Sequence, residues 1–344
     1  MAPRPLRLAV LGATGAVGRA LVQQLEEAEG LAIASLRLLA SERSAGSEVE
    51  FRGDALRVEA VREGAFQGRD LAFFAAGSAV SRAWAERAWA AGCAVVDLSP
   101  AFRADPEVPL VLPEVNGEAL AAFPRRGLAA IPGPAASQLA LALAPLHRAA
   151  GVERAVVTVL EAVSGAGQKG VEELEEELRS MLSFREPPSP TASPHRTAFN
   201  LVPQVGPFGE DGASEEERGL AFEVARLLGS SVRVAATAVR VPIFYGHSQS
   251  VTLRTRRPLP AAEARALLAA APRVKVLDTP GEGIYPMPML AVNDEAVLVG
   301  RIRDDASQEN GLALFLSGDN LCQGGAATAL RVARLVAERH LKGQ

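Results

Sequence analysis

The sequence predicts an α/β protein: a doubly wound, mostly parallel sheet joined to a second, α+β domain. Three observations lead there. From Leu6 to about Ala149 short apolar runs alternate with helical stretches, the first run ends in a glycine-rich turn, and from Val152 the texture changes to longer β-type runs. Strands that alternate with helices run parallel, because each crossover helix covers a face of the sheet.

The apolar runs of the first part are 6–11, 32–39, 71–75, 93–98 and 128–131. After the first of them Val17, Leu21 and Leu25 recur every four residues, one face of a helix. In the second part the β-type runs are 155–163, 232–244, 250–255 and 297–302. Between them 170–182 reads as an amphipathic helix with Val171, Leu174, Leu178 and Met181 inside. Its glutamate-rich outer face reads as a solvated surface rather than a metal site. The segment 187–194, PPSPTASP, is a proline-rich surface loop. A last helix, about 325–341, carries Ala329, Val332, Ala333, Val336 and Ala337 on one face and needs a partner, expected on the first domain. The expected units are therefore 1–133 plus 319–344, and 134–318.

Composition narrows the class. At ~150 residues per domain, 344 residues make roughly two domains. With 48% hydrophobic and 22% charged residues the chain buries a sizeable core, which excludes disordered, mucin-like and collagen-like readings. A formal charge of −4 offers no basic field to a polyphosphate backbone, so no nucleic acid is expected as partner. The most membrane-like stretch, 127–146, is broken by Pro132, Gly133, Pro134 and Pro145, and the opening apolar run is too short for a signal peptide. No membrane is expected, and a cytoplasmic setting is. Cys93 and Cys322 stand alone, without the spacing of a disulfide framework or a thiolate zinc site, and no metal is expected.

The sharpest local signal is LAVLGATGAVGRALVQQL, with Gly12, Gly15 and Gly18 between an apolar strand and an amphipathic helix. Glycine there permits a tight turn and close approach of a pyrophosphate, whose charge meets free N–H groups at the helix N-terminus. At the end of the second strand, LLASERSAG places Ser41, Arg43 and Ser44 where a ribose 2′-phosphate would lie, which favours NADP. Glu42, in the same turn, would instead hold the free 2′-hydroxyl of NAD.

Several blocks together resemble one family, the aspartate-semialdehyde dehydrogenases. GATGAVG, ASERSAG, VVDLSPAFRADPEVPLVLPEVN, VSGAG, AFNLVPQVGPF, VRVPIFYGHS and GDNLCQGGAATA occur in the family's order and approximate spacing, from residue 6 to about 340. The resemblance implies an NADP-binding Rossmann-type domain completed by the C-terminal helix, a central domain for catalysis and dimerisation, and a homodimer. The cofactor is expected at Gly12, Thr14, Gly15, Ala16, Val17, Gly18, Ser41, Arg43, Ser44, Gly77, Ser164, Gly165 and Asn320.

In that family a cysteine thiolate attacks the aldehyde carbonyl, a histidine takes the proton, hydride passes to NADP, and phosphate releases the acyl group from the thioester. The resemblance makes His247, in FYGHS, the acid/base histidine, Arg240 the arginine that grips the substrate carboxylate, and Arg103 the phosphate-binding arginine, followed by Asn116 in PEVN. Three positions depart from the pattern. IPGPAASQLA, aligned with NPNCST, puts Ala136 at the nucleophile; Glu161 stands where the family has glutamine; and Gly219 stands where the EExK pattern has a substrate-contacting lysine, its first glutamate being kept as Glu216. A methyl group cannot form a thioester, and loss of a covalent nucleophile removes on the order of 10⁴-fold to 10⁶-fold in rate.

The combination looks like the Usg-like divergent branch of the family. Two readings follow: an NADP-binding homodimer that has lost thioester chemistry, or an NADP-dependent oxidoreductase that acts on a small anionic semialdehyde or acyl phosphate through His247 and the arginine clamps. His147 and His340, near helix C-termini, read as structural. Cys93 reads as a small buried hydrophobe, and Cys322 as the one thiol that could have migrated into the chemistry.

Overall fold

A computed structural model describes residues 4–28, 30–229 and 231–341. The chain divides into two compact units, one formed by residues up to Gly133 together with those from Gly324 onward, the other by Pro134–Gln323. The first unit contains β1 (Leu6–Leu11), α1 (Ala16–Glu26), β2 (Ile33–Ala40), β3 (Glu48–Phe51), β4 (Asp54–Ala60), β5 (Leu71–Phe74), α2 (Ser78–Ala90), β6 (Ala94–Asp97), α3 (Pro113–Asn116) and β7 (Leu128–Ala130). Its sheet order is β3-β4-β2-β1-β5-β6-β7, parallel throughout except for the β3–β4 pair. The order reverses about β1, so its C-terminal end is a topological switch point. Every position of β5 and β6 is buried, as central parallel strands covered on both faces require.

The second unit contains α4 (Pro134–Ala150), β8 (Val152–Glu161), α5 (Gln168–Leu182), α6 (Glu215–Leu228), β9 (Arg233–Arg240), β10 (His247–Thr255), α7 (Ala261–Ala269), β11 (Val274–Val276), α8 (Pro288–Ala291), β12 (Val297–Asp304) and β13 (Gly311–Gly318). Its six strands run in the order β11-β12-β13-β10-β8-β9. The β8–β9 and β11–β12 pairs are parallel and the other three antiparallel. The chain then returns to the first unit as α9 (Ala326–His340), where Ala329, Val332, Ala333 and Val336 join one apolar cluster with Leu21, Val22 and Leu25 of α1. Arg331 of α9 also pairs with Glu114 of α3 at 2.7 Å, both largely buried.

Two expectations are corrected and one pair of strands is added. Strands β3 and β4 were not anticipated, because EVEF and DALRVEA alternate charge with modest apolar content instead of forming an apolar run; they make a hairpin through Arg52 and Gly53, both at positive φ. Residues 319–323, assigned above to the nucleotide unit, belong to the second unit: Asn320 bonds Ser164 and Gly246, and Asp319 accepts from the Asn293 N–H. The glutamate face of α5 is not wholly solvated. Glu177 is fully buried and accepts from the Thr197 and Ala198 N–H groups, while Glu173 accepts from those of Thr191 and Ala192. These two carboxylates anchor 191–198, which has no regular secondary structure to satisfy its own backbone.

Candidate functional site

In the nucleotide unit the three glycines divide the work. Gly12 has φ +93° and a Cβ there would lie 2.6 Å from the Ala75 carbonyl oxygen, so only glycine lets the turn pass beside β5. A Cβ on Gly18 would lie 2.1 Å from the Gly12 carbonyl oxygen, so α1 can close onto the turn only without one. Gly15 is exposed and is the N-cap of α1, with no side-chain cap and no acidic residue in the first turn. The N–H groups of Ala16, Val17 and Gly18 therefore begin a helix with no side-chain cap at its positive end, an arrangement that could take an anion. Thr14 lies in this turn and its carbonyl accepts from Arg19. Gly77, at φ +84° and with open space around its Cβ position, is likewise the N-cap of α2.

After β2 the chain makes a short 3₁₀ turn, Glu42–Ser44. The Glu42 carboxylate is held by Arg62 at 3.0 Å, whereas Arg43 is exposed, beside Ser41 and Ser44, with no ion pair among the described residues. Arg103 donates from Nε to the Ile131 carbonyl and from Nη2 to the Leu98 carbonyl, which fixes it at the C-terminal ends of β6 and β7. Asn116 is occupied by the loop it closes, accepting from the Leu112 N–H and donating to the Leu110 carbonyl. Asp97, at the end of β6, is a buried carboxyl held by the Ser81 and Ser99 hydroxyls at 2.7 and 2.8 Å, and burial pushes its pKa up.

In the second unit, β8, β9, β10 and α6 bring four ionisable groups together. Glu161 ends β8, Arg240 ends β9 opposite it in register, and His247 opens β10. Arg240 Nη1 donates to Glu161 Oε2 at 3.0 Å and to the Ala162 carbonyl at 2.7 Å. Glu161 Oε2 lies 3.9 Å from His247 Nε2. Glu216, on α6, hydrogen-bonds the Glu161 carboxyl. A bond between two carboxyls needs a proton on one of them. Burial accordingly raises the Glu161 pKa against the opposing pull of Arg240 and the Glu216 bond. A capping box at Ser214 and Glu217 sets the start of α6 and thereby the direction of Glu216.

His247 is 2% exposed, and burial, reinforced by the Arg240 charge, pushes its pKa down to about 3. Its Nδ1 accepts from the Ala162 N–H at 3.2 Å, so the neutral ring carries its proton on Nε2. The imidazole is a hydrogen-bond donor toward the site. Gly165 lies over this cluster: a Cβ there would fall 2.7 Å from Arg240 Nη1 and 3.3 Å from both Glu161 Oε2 and His247 Cε1. Ser164 and Asn320 bond each other at 3.0 Å, and Asn320 Oδ1 accepts from the Gly246 N–H, so this pair ties the 163–166 turn to the loop before His247.

Ala136 lies in the first turn of α4 and is 2% exposed. Two residues missed from the sequence bring that turn to His247. Gln249, on the same face of β10 as His247, donates to the Ala135 carbonyl at 2.9 Å and to Gln138 Oε1 at 3.4 Å. Gly318, paired with His247 across β10–β13, packs directly against Gln138. The signal for Gln249 was the alternation in HSQS. Gly219 is not demanded by packing, since a Cβ there would meet only Glu223 Oε1 at 3.7 Å. Cys93 is buried and its thiol is pushed up to about 12, first by burial; Cys322 is buried in the loop after β13. His147 and His340 bond the Val152 and Leu120 carbonyls, and His195 is exposed.

Comparison with known proteins places this geometry. Residues 7–123 match the model of the semialdehyde dehydrogenase NAD binding domain, and 143–323 that of the semialdehyde dehydrogenase dimerisation domain. The aspartate-semialdehyde dehydrogenase of Aquifex aeolicus is 40% identical over 337 residues, 97% of this chain and 99% of that protein. The crystal structure of aspartate semialdehyde dehydrogenase II from Vibrio cholerae complexed with ASA is 36% identical, with a TM-score of 0.94 over 98% of this chain and 99% of that one. The enzyme from Candida albicans with NADP, 24% identical, shares the fold at a TM-score of 0.74 over 97% and 98% of the two chains. No helix among the described residues is long and apolar enough to cross a membrane. The chain, with an NAD(P)-binding module followed by a dimerisation module, belongs to the aspartate-semialdehyde dehydrogenase family.

Proposed function

We propose that this protein is an NADP-binding, cytoplasmic homodimer of the Usg-like branch, in which the thioester-forming step of the family has been lost. The observation that carries the reading is Ala136: a buried methyl in the α4 turn that Gln249 ties to the histidine strand. Two features of the same unit agree with it. Arg240, the expected carboxylate clamp, already gives Nη1 to Glu161, and Gly219 supplies no cation. Both hydrogen bonds of the guanidinium leave Nη1, so its Nε–Nη2 edge is the part that would take a small anion.

The residues present fit a dinucleotide. The uncapped α1 N-terminus would hold the pyrophosphate, and Arg43 with Ser41 and Ser44 the 2′-phosphate. Exposed apolar side chains on the second unit, Phe184, Phe199, Leu201, Phe208 and Phe222, favour a self-association surface on the matched dimerisation module. The free buried thiols suit a reducing compartment.

A second reading has its own support. When bound, reduced NADP supplies hydride, which can reduce a carbonyl to an alcohol with no acyl-enzyme. His247 Nε2–H would donate the proton that such an alkoxide needs, and the Glu161–Glu216 pair beside it would replace that proton. One set of measurements separates the readings. NADPH and NADH are titrated by fluorescence; then NADP reduction by aspartate semialdehyde with phosphate, and NADPH oxidation by the same aldehyde, are followed with mass analysis of products. Binding of NADPH without either turnover is the expected result. Alcohol formation would support the second reading. Phosphate-dependent turnover at rates usual for the family would overturn the first, and failure of both nucleotides to bind at millimolar levels would overturn both.

A further inference from the structure

The nucleotide unit carries a cleft that the dinucleotide reading does not use. It has a volume of about 450 Å³ and opens between α2 and the segments flanking β7. That volume lies in the range of small-molecule sites, roughly 300–1,000 Å³. Trp89 and Phe102 line it, with Ala85 and Leu128 among its buried apolar residues.

The aromatic wall is built in advance. Gly127, at φ +58° just before β7, has Trp89 Cδ1 only 2.4 Å from where its Cβ would be, so glycine is what lets the indole lie against the backbone. The ring is held there while remaining 50% exposed. The half-exposed indole offers a preformed apolar wall to a ligand.

Charge selects the ligand further. Of the ionisable residues lining the cleft, Arg126 is paired with Asp105 at 3.3 Å, and Glu86 is exposed. Arg82 bonds only the Ala101 carbonyl, at 3.4 Å from Nη2, and has no carboxylate partner among the described residues. An anion is thus drawn to Arg82, while Glu86 on the same helix disfavours a second negative charge. We propose that this cleft binds a small monoanionic aromatic carboxylate, its ring between Trp89 and Phe102 and its carboxylate at Arg82.

The only two tryptophans, Trp84 and Trp89, both lie on α2, so Trp84→Phe leaves Trp89 as the sole reporter in the full-length protein. Its emission, excited at about 295 nm where indole alone absorbs, is titrated with 3-phenylpropanoate and with the uncharged 3-phenylpropanol. The acid should give a saturable change with half-saturation near about 1 mM, the strength ordinary for about eleven heavy atoms. Adding Arg82→Gln should weaken the acid about fivefold and leave the alcohol unchanged. Adding Ala90→Leu, which fills the cleft from an exposed helical position, should abolish both responses with the circular dichroism unaltered. Saturating NADPH should leave the acid's titration unchanged. No saturable response up to about ten times the expected half-saturation, an equal effect of Arg82→Gln on acid and alcohol, an Ala90→Leu variant that titrates like its parent, or competition by NADPH would each overturn the proposal.

Discussion

Restoring the thiol by Ala136→Cys tests the electrostatics of the site as well as its chemistry. In a Cys–His pair the imidazole takes the thiol proton. Here that transfer runs from a thiol of ordinary pKa, ~8.5, to an imidazole pushed down to about 3, a gap of about 7 kcal/mol. The start of α4 can lower the thiol by about one unit without closing it. The engineered thiolate should therefore form by simple ionisation. Its alkylation by iodoacetamide, followed by intact-mass spectrometry across pH, should rise about tenfold per pH unit up to about pH 8, with no plateau near pH 6. Acylation by aspartate semialdehyde in the presence of NADP should yield a detectable thioester, at a rate recovering about 10²-fold of the 10⁴-fold to 10⁶-fold deficit. Adding Glu161→Gln and Gly219→Lys should recover more, since the second has room for a side chain. An alkylation profile that flattens below about pH 6.5 and loses that inflection with His247→Asn would show that the histidine takes the proton. The account of a buried, neutral, donor imidazole would then be wrong.

Other consequences are direct. If Arg43 holds the 2′-phosphate as proposed, Arg43→Ala should weaken NADPH about tenfold and leave NADH, which lacks that phosphate, unchanged, read by nucleotide fluorescence. Gly18→Ala should abolish nucleotide binding and lower the melting temperature by several degrees, since its Cβ would lie 2.1 Å from the Gly12 carbonyl oxygen. Glu114→Ala leaves Arg331 buried without its carboxylate and should cost about 3–5 kcal/mol, seen as earlier unfolding in urea. His247 has a folded-state pKa below its unfolded value of 6.5, so the unfolded chain binds that proton first. Its stabilisation is present above pH 6.5 and is lost as pH falls toward 3, by up to about 1.4 kcal/mol per unit. The fall of melting temperature over that window should be shallower in His247→Asn; an unchanged slope would refute a buried neutral imidazole.

Much of the first unit was legible because its physics is local. Parallel strands buried on both faces write themselves as apolar runs, as at 71–74 and 94–97, and the Gly12, Gly15 and Gly18 turn is dictated by backbone sterics within one βα unit. The polar β3–β4 hairpin escaped because edge strands carry little apolar signal. The residue types of the candidate site in the second unit, Ala136, Glu161, Glu216, Arg240 and His247, were readable one by one, through a resemblance in spacing.

Their state was not readable. By itself the sequence determined the apolar strands and amphipathic helices, the glycine-rich turn after β1 and the absence of a thiol at 136, because each depends on residue identity and short-range periodicity. Only the tertiary structure decided that Glu161 holds Arg240, that His247 is neutral with its proton on Nε2, and that Gln249 joins the α4 turn to β10. Protonation and pairing depend on burial and on groups far apart in the chain, 114 residues for Gln249 and Ala135, and a linear pattern carries neither.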